Sequence, residues 1–221
     1  MKQRTFIRIH GSVPTEFFLA CSGGPDSMAA LDFLTNNRSD RKVTPVFFHH
    51  NTDTSSRSLD LLLKFSKDRS LPLELDGLSR EKDKDESLEE YWRNERLRFF
   101  YSLQGPVVTA HNLDDAIETW IFTSLHGKPS LIPYQNRNVI RPFLLTEKST
   151  LLSWCARRGI PFYNDPSNQD VHRFTRAWIR YKIIPAALQV NPGLRKTVRK
   201  LILSNFGESY YVDHRRNDEL H

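Results

Sequence analysis

Cysteine is scarce in this chain: its 221 residues include two, Cys21 and Cys155. The first falls in an expected strand and the second in an expected helix. That placement excludes a disulfide framework and a Cys-x-x-Cys metal site, and it points to a reducing, cytoplasmic setting. Long apolar runs are also missing. No stretch approaches the ~20 residues that a membrane span needs, so no membrane partner is expected. Residues 1–10 are charged rather than apolar and do not read as a signal peptide. Internal repeats are lacking. What is present is a moderate excess of base, with net charge +6 and pI near 9.4, which favours a polyanionic partner. The length suits one good-sized domain, or one domain plus a small appendage, and hydrophobic content of 38%, including 14 Phe and 4 Trp, is enough for a real core.

One turn concentrates the chemistry. Ser22-Gly23-Gly24-Pro25-Asp26-Ser27 follows the apolar run 17–21, expected as a buried strand, and precedes residues 28–34, whose apolar positions recur at helical spacing. A strand that turns through glycines into a helix presents N–H groups at the positive end of the helix dipole, and that geometry binds phosphate. Gly23 and Gly24 are expected to let the backbone approach an anion and to adopt positive φ. Ser22 and Ser27 add hydroxyl donors. Asp26 either caps the helix or holds a magnesium ion that bridges phosphate oxygens. No Gly-Lys-Ser/Thr follows, so this is not a Walker A loop. The string resembles the PP-loop of the ATP-pyrophosphatases, which cleave ATP between its α- and β-phosphates.

Strand-like and helix-like segments alternate after this turn. Strands are expected over 43–48, 71–75 and 107–110, and helices over 58–67 and 112–125. A further helix, opened by the capping pattern of Ser87 and Glu90, runs towards 103, after a charged loop over 79–86. This order implies an α/β fold, a Rossmann-like parallel sheet with helices on both faces and ligands at the strands' carboxyl ends. Residues 1–146 then form a nucleotide-binding catalytic domain. Beyond a loop over 126–138, an amphipathic helix spans 147–158. A basic helical stretch covers 173–203, interrupted at Pro185 and at Asn191-Pro192-Gly193. Residues 147–206 are read as a small helical extension and 207–221 as a polar tail.

A second constellation, His111-Asn112-Leu113-Asp114-Asp115-Ala116-Ile117-Glu118-Thr119, comes directly after an expected strand. On a helix, Asp114 or Asp115 shares a face with Glu118. Paired carboxylates beside a phosphate loop can bind magnesium or an ammonium group, and His111 can contact the nucleotide or a developing charge. The plainer role for Asp114 is to cap the helix.

The glycine loop, His-x-x-Asp-Asp-x-x-Glu-Thr over 111–119, Arg141-Pro142-Phe143-Leu144 and Asp165-Pro166-Ser167-Asn168 occur in that order. Arg176, Arg180, Pro185 and Asn191-Pro192-Gly193 follow. As an ordered set they resemble the tRNA(Ile)-lysidine synthetase family, over roughly 17–203. The chain departs from the family in several places. His50-Asn51-Thr52-Asp53 stands where the family has His-Gly-Leu-Arg, with Arg57 nearby, and Trp92-Arg93-Asn94-Glu95-Arg96-Leu97 where it has Ala-Arg…Arg-Tyr. The loop after the Glu-Thr helix is reduced to His126-Gly127-Lys128-Pro129, and Ala177 follows Arg176 in place of Asn. Longer members carry further carboxy-terminal domains.

The resemblance implies an ATP-dependent carbon–nitrogen ligase that converts the wobble cytidine of a CAU anticodon to lysidine, with ATP and L-lysine as substrates and Mg2+ as cofactor. It implies that Ser22, Gly23, Gly24, Asp26 and Ser27 bind the nucleotide, with Asp26 holding the metal. Asp115 and Glu118 would hold lysine, with His111 and Arg93 near the reacting groups. Arg173, Arg176, Arg180 and Lys182, interleaved with Trp178 and Tyr181, form a candidate tRNA(Ile) contact surface. The basic helical end also offers a homodimer interface. Two alternatives stay open: a PP-loop adenylating enzyme with another amine or nucleic acid, and a catalytically degenerate tRNA- or nucleotide-binding module. Sulfur transfer is disfavoured, because Cys21 and Cys155 lack a useful spacing.

Overall fold

A strand buried on both faces needs near-continuous apolar sequence, and Val46-Phe47-Phe48 supplies it on β3 (Lys42–His49). In the computed structural model, which describes residues 6–36, 40–164, 175–206 and 210–212, β3 lies between β2 (Glu16–Ala20) and β4 (Glu74–Gly77). On the other side of β2 come β5 (Val107–Val108), β7 (Val139–Ile140) and β6 (Gln135–Asn136), giving the order β4-β3-β2-β5-β7-β6. All neighbours pair in parallel except β6 with β7. A small antiparallel ribbon joins β1 (Arg8–His10) to β8 (Tyr210–Val212), pairing Arg8 with Val212.

Successive strand side chains point to opposite faces, and the core divides accordingly. Phe17, Leu19, Val43 and Phe47 pack with α1 (Pro25–Thr35), α2 (Asp53–Asp68) and α5 (Lys148–Arg158). Phe18, Ala20, Val46 and Phe48 face α3 (Leu88–Ser102) on the other side. A third cluster joins Leu113, Ala116 and Ile117 of α4 (Leu113–Leu125) to Leu144, Leu145 and the carboxy-terminal helices. Those are α6 (Thr175–Trp178), a π-helical turn over Ile179–Ile183, α7 (Ile184–Val190) and α8 (Leu194–Phe206). The expected parallel sheet with helices on both faces is therefore present. Strand order reverses between β2 and β5, so the crevice for a ligand opens at their carboxyl ends.

Several local expectations change. α2 begins at Asp53 rather than 58, because Thr52 caps it by accepting from Ser55 N at 3.2 Å; its polar first turn hid the helical pattern. β6 falls inside the expected loop over 126–138, since a two-residue strand is too short to show periodicity. Pro185 does not interrupt the helix. It sits in the first turn of α7, directly after the π turn, whose wider ladder leaves room for a ring that has no N–H to bond. α5 joins the first core through Leu151 and Cys155, packing with α1 rather than with the extension. Part of the expected tail, Tyr210–Val212, is the strand that pairs with β1. The Asp165-Pro166-Ser167-Asn168 motif and Arg173 lie outside the described residues. Among the described residues, no helix is long and apolar enough to cross a membrane.

Ile179 is 1% exposed and carries the extension into the α4 core. Ile179→Ala is expected to cost about 2–5 kcal/mol through the cavity it leaves. Because that core is shared, urea denaturation should show extension and domain unfolding in one transition.

Candidate active site

The carboxyl end of β2 leads through residues 21–24 into α1. Gly23 has φ +74°, and a Cβ there would meet Ser58 Cβ at 2.9 Å, so both conformation and packing against α2 require glycine. Gly24 differs from expectation. Its φ is −75°, and a Cβ would meet only Ser22 Oγ, at 3.4 Å. Nothing in the chain demands glycine at that position; its missing side chain keeps open the space before the helix. Gly24 is the N-cap of α1 and no side chain caps it, so Asp26 is not the cap. Pro25, in the first turn, has no N–H to satisfy, and the N–H groups of Asp26 and Ser27, like those of any first helical turn, have no intrahelical acceptor. Ser27 Oγ accepts from Ser22 N at 3.2 Å and donates to Gly24 O at 3.0 Å, which fixes the loop's shape.

Asp26 Oδ2 accepts from Lys148 Nζ at 2.7 Å, and Oδ1 is buried without a partner. Burial raises the Asp26 pKa, and Lys148 offsets that only in part. Lys148 had no sequence signal, since it lies 122 residues away in the chain. Among the described residues, no group of three or more His, Cys, Asp or Glu could hold a metal. A magnesium ion bound to ATP takes most of its ligands from phosphate and water, with one or two carboxylates. The unpartnered Oδ1 of Asp26 fits that requirement.

β5 leads to His111 and α4. Asn112 caps the helix by accepting from Asp114 N and Asp115 N, while Asp115 Oδ2 accepts from Asn112 N at 3.0 Å, closing a capping box. Asp114 instead accepts from Lys148 N at 2.9 Å and from Arg195 Nη2 at 3.1 Å. His111 Nδ1 lies 2.7 Å from Thr109 Oγ1. Burial lowers the His111 pKa to about 4, so the ring is neutral at neutral pH.

Asp115 and Glu118 do share a face of α4, as their spacing predicts. The structure brings two of the expected tRNA-contacting arginines onto them. Arg180 Nη2 donates to Asp115 Oδ1 at 2.8 Å and Arg180 Nε to Glu118 Oε2 at 2.8 Å; Arg176 Nη1 donates to Glu118 Oε1 at 3.1 Å. These guanidinium groups point inward at the carboxylates and do not form an open basic face. Glu118 is buried, and desolvation raises its pKa against the pull of Arg180. Lys182, Trp178 and Tyr181 are exposed. Arg93 is exposed on α3.

Asn51 explains one departure from the family pattern. It adopts φ +54°, the left-handed conformation for which glycine is suited and which asparagine tolerates. The backbone turn survives where the family's arginine does not. A cavity of about 420 Å³, lined by Ser12, Pro106, Tyr134 and Asn138, opens at the opposite, amino ends of the strands.

A family model for the PP-loop domain matches residues 2–187. The tRNA(Ile)-lysidine synthase of Thermotoga sp. strain RQ2 is 29% identical over 88% of this chain and 52% of its own length. That of Corynebacterium glutamicum is 28% identical over 83% of this chain and 60% of its own. The chain thus spans about half the length of the curated relatives it matches. Among solved structures, the U34-tRNA thiolase of Methanococcus maripaludis superposes with a TM-score of 0.65, at 13% identity, over 86% of this chain and 71% of that one. At that identity it shows the fold alone.

Removing Arg180 leaves Glu118 under-compensated. Because the Arg180 side chain is 31% exposed, Arg180→Ala is expected to cost about 1–3 kcal/mol, below the ~3–5 kcal/mol of a fully buried pair. Adding Glu118→Gln should recover part of that loss in urea denaturation. A pH series gives a separate check. His50 is also held neutral by burial, its pKa lowered from 6.5 to about 4. Its contribution is full above pH 6.5. As pH falls towards 4 it is lost, because the unfolded chain binds a proton that the folded state refuses. His50→Gln should flatten the stability curve in that window. The difference from the parent protein isolates His50 from Asp26 and Glu118, whose raised carboxyl pKa values slope the other way.

Proposed function

The chain belongs to the PP-loop domain family, and from that membership we propose that it is an ATP-dependent tRNA(Ile)-lysidine synthetase. The observation that carries the reading is the convergence, at one strand-order reversal, of an anion cradle at 22–27 with the carboxylates of α4. The relatives named tRNA(Ile)-lysidine synthase support this reading.

The oxygen on the cytosine 2-carbonyl is a poor leaving group. In the first step it attacks the α-phosphorus of ATP, and the bond to pyrophosphate breaks. The first-turn N–H groups of α1 and the hydroxyls of Ser22 and Ser27 hold the departing pyrophosphate. Asp26 would hold Mg2+ on the phosphates through Oδ1, where the ion supplies neutralisation of the charge on the leaving group. In the second step the neutral amine of lysine attacks C2 of the activated cytosine, AMP departs with the oxygen, and the new C–N nitrogen gives up its proton to water. Asp115 and Glu118 hold the lysine, whose positive charge has to share or displace the guanidinium of Arg180. Neutral His111 accepts a hydrogen bond from the amine without repelling it. Lys182 and the exposed rings of Trp178 and Tyr181 lie on the adjacent surface, suited to phosphate and to an unstacked base.

The test is mass spectrometry of nucleosides from CAU-anticodon tRNA(Ile) incubated with the protein, ATP, Mg2+ and isotope-labelled lysine. Labelled lysidine is expected. Pyrophosphate release without lysidine would assign another amine or acceptor, and tRNA binding without either product would mark a binding module. Glu118→Gln should raise KM for lysine at least tenfold, with the KM for ATP little changed.

A further inference from the structure

One residue that none of the sequence motifs contains joins the glycine loop to the α4 array. Lys148 stands at the first position of α5, where its Nζ donates to Asp26 Oδ2 at 2.7 Å and its backbone N donates to Asp114 Oδ2 at 2.9 Å. Asp26 belongs to the first turn of α1 and Asp114 to the first turn of α4. The first turns of three helices thus meet at this residue. Further along α5, Trp154 Nε1 and Arg158 Nε donate to Asp32 Oδ2 of α1 at 2.9 and 2.6 Å, and Leu151 and Cys155 are buried in the core that α1 also fills. These contacts lock α5 onto α1, and the root of the Lys148 side chain with it.

The placement is costly for a lysine. A cation in the first turn of a helix is opposed by the helix dipole, which favours anions there. Lys148 meets that penalty at the start of α5 and again beside the start of α1. An exposed lysine–carboxylate pair returns little against the side-chain freedom it loses, and this pair leaves Asp26 incomplete, with Oδ1 buried and unpartnered. The ammonium is incomplete as well. It carries three donors and no acceptor, and among the described residues Asp26 Oδ2 is the one acceptor that Nζ engages. The Lys148 side chain is 34% exposed, so its other two hydrogens are within reach of a ligand in the crevice. An anion beside the first turn of α1 would satisfy the ammonium and the dipole together.

We propose that Lys148 is a further substrate-binding residue: with one hydrogen on Asp26 Oδ2, its Nζ donates the others to the pyrophosphate half of ATP, alongside the glycine loop. When the bond between the α-phosphorus and its bridging oxygen breaks, the electron pair passes to pyrophosphate, and the ammonium stabilises the charge that grows there without giving up a proton. By taking Oδ2, Lys148 also leaves Oδ1 as the oxygen open to Mg2+. The proposal rests on the ATP-using part of the reading above and on neither lysine nor tRNA. Measuring pyrophosphate binding separates the two: a chain that adenylates another acceptor gives the same result, and a chain that makes no lysidine can still pass.

The experiment compares the full chain with its Lys148→Met, Lys148→Arg and Asp26→Asn variants and with the double variant Asp26→Asn/Lys148→Met. Binding of pyrophosphate and of AMP is followed by calorimetry in the presence of Mg2+. Lys148→Met is expected to weaken pyrophosphate about tenfold or more, with AMP little changed, and Lys148→Arg to restore part of the loss. Lys148→Met strands the Asp26 carboxylate, so its thermal unfolding should fall below that of the parent, and the double variant should recover part of that fall. The double variant also separates a direct contact from support of Asp26. It should bind pyrophosphate about tenfold or more weaker than Asp26→Asn does; equal binding would mean that Lys148 acts only through Asp26, and the proposal fails. It fails equally if Lys148→Met binds pyrophosphate as the parent does, or loses AMP to the same extent. A parent protein that binds no pyrophosphate overturns the ATP-using reading and this proposal together.

Discussion

A carboxylate taken out of water must find a cation or take up a proton, and Glu118 is buried where the two halves of the chain meet. Its partners, Arg176 and Arg180, come from the helical extension, so the charge requirement of α4 decides where that extension docks. Asp114 with Arg195, and Glu147 with Arg199, repeat the arrangement along the same contact. Beneath them Ile179, Ile184 and Val198 close the apolar layer on Leu113 and Ile117. The carboxy-terminal helices thereby share one core with α4 rather than forming a tethered appendage.

That clamp also shapes the chemistry. It fills the carboxylate side of the crevice with guanidinium groups, whereas at the end of β7 the Arg141 Nε is buried without a partner. Between them His111 stays neutral because it is desolvated. A site divided in this way suits a reaction that handles a cationic substrate and anionic phosphates in one small volume.

The parts of the site that could be read from the chain are those encoded within a few residues. The turn at 22–27 and the array at 111–118 each follow an apolar run, and parallel pairing of β2 with β5 places both on one edge. Gly23 met its expectation and Gly24 did not, because a glycine pair does not say which member bears the positive φ. β6 and β7 are too short for any periodicity. The early start of α2 rests on a threonine cap before a polar first turn, a pattern that also reads as loop.

The sequence by itself determined the sheet with its helices, the glycine loop, the acidic face of α4 and the order of motifs that marks the family. All of these are local, set by chain spacing and by which residues follow a strand. Tertiary structure alone decided the pairing of Asp26 with Lys148, the turning of Arg176 and Arg180 onto α4, and the packing of the His50 ring beside Trp92. Each joins residues far apart in the chain, and no local pattern encodes such a meeting. Whether a charge faces solvent, a partner or a ligand depends on desolvation and on what lies opposite. Those quantities exist only once the chain has folded.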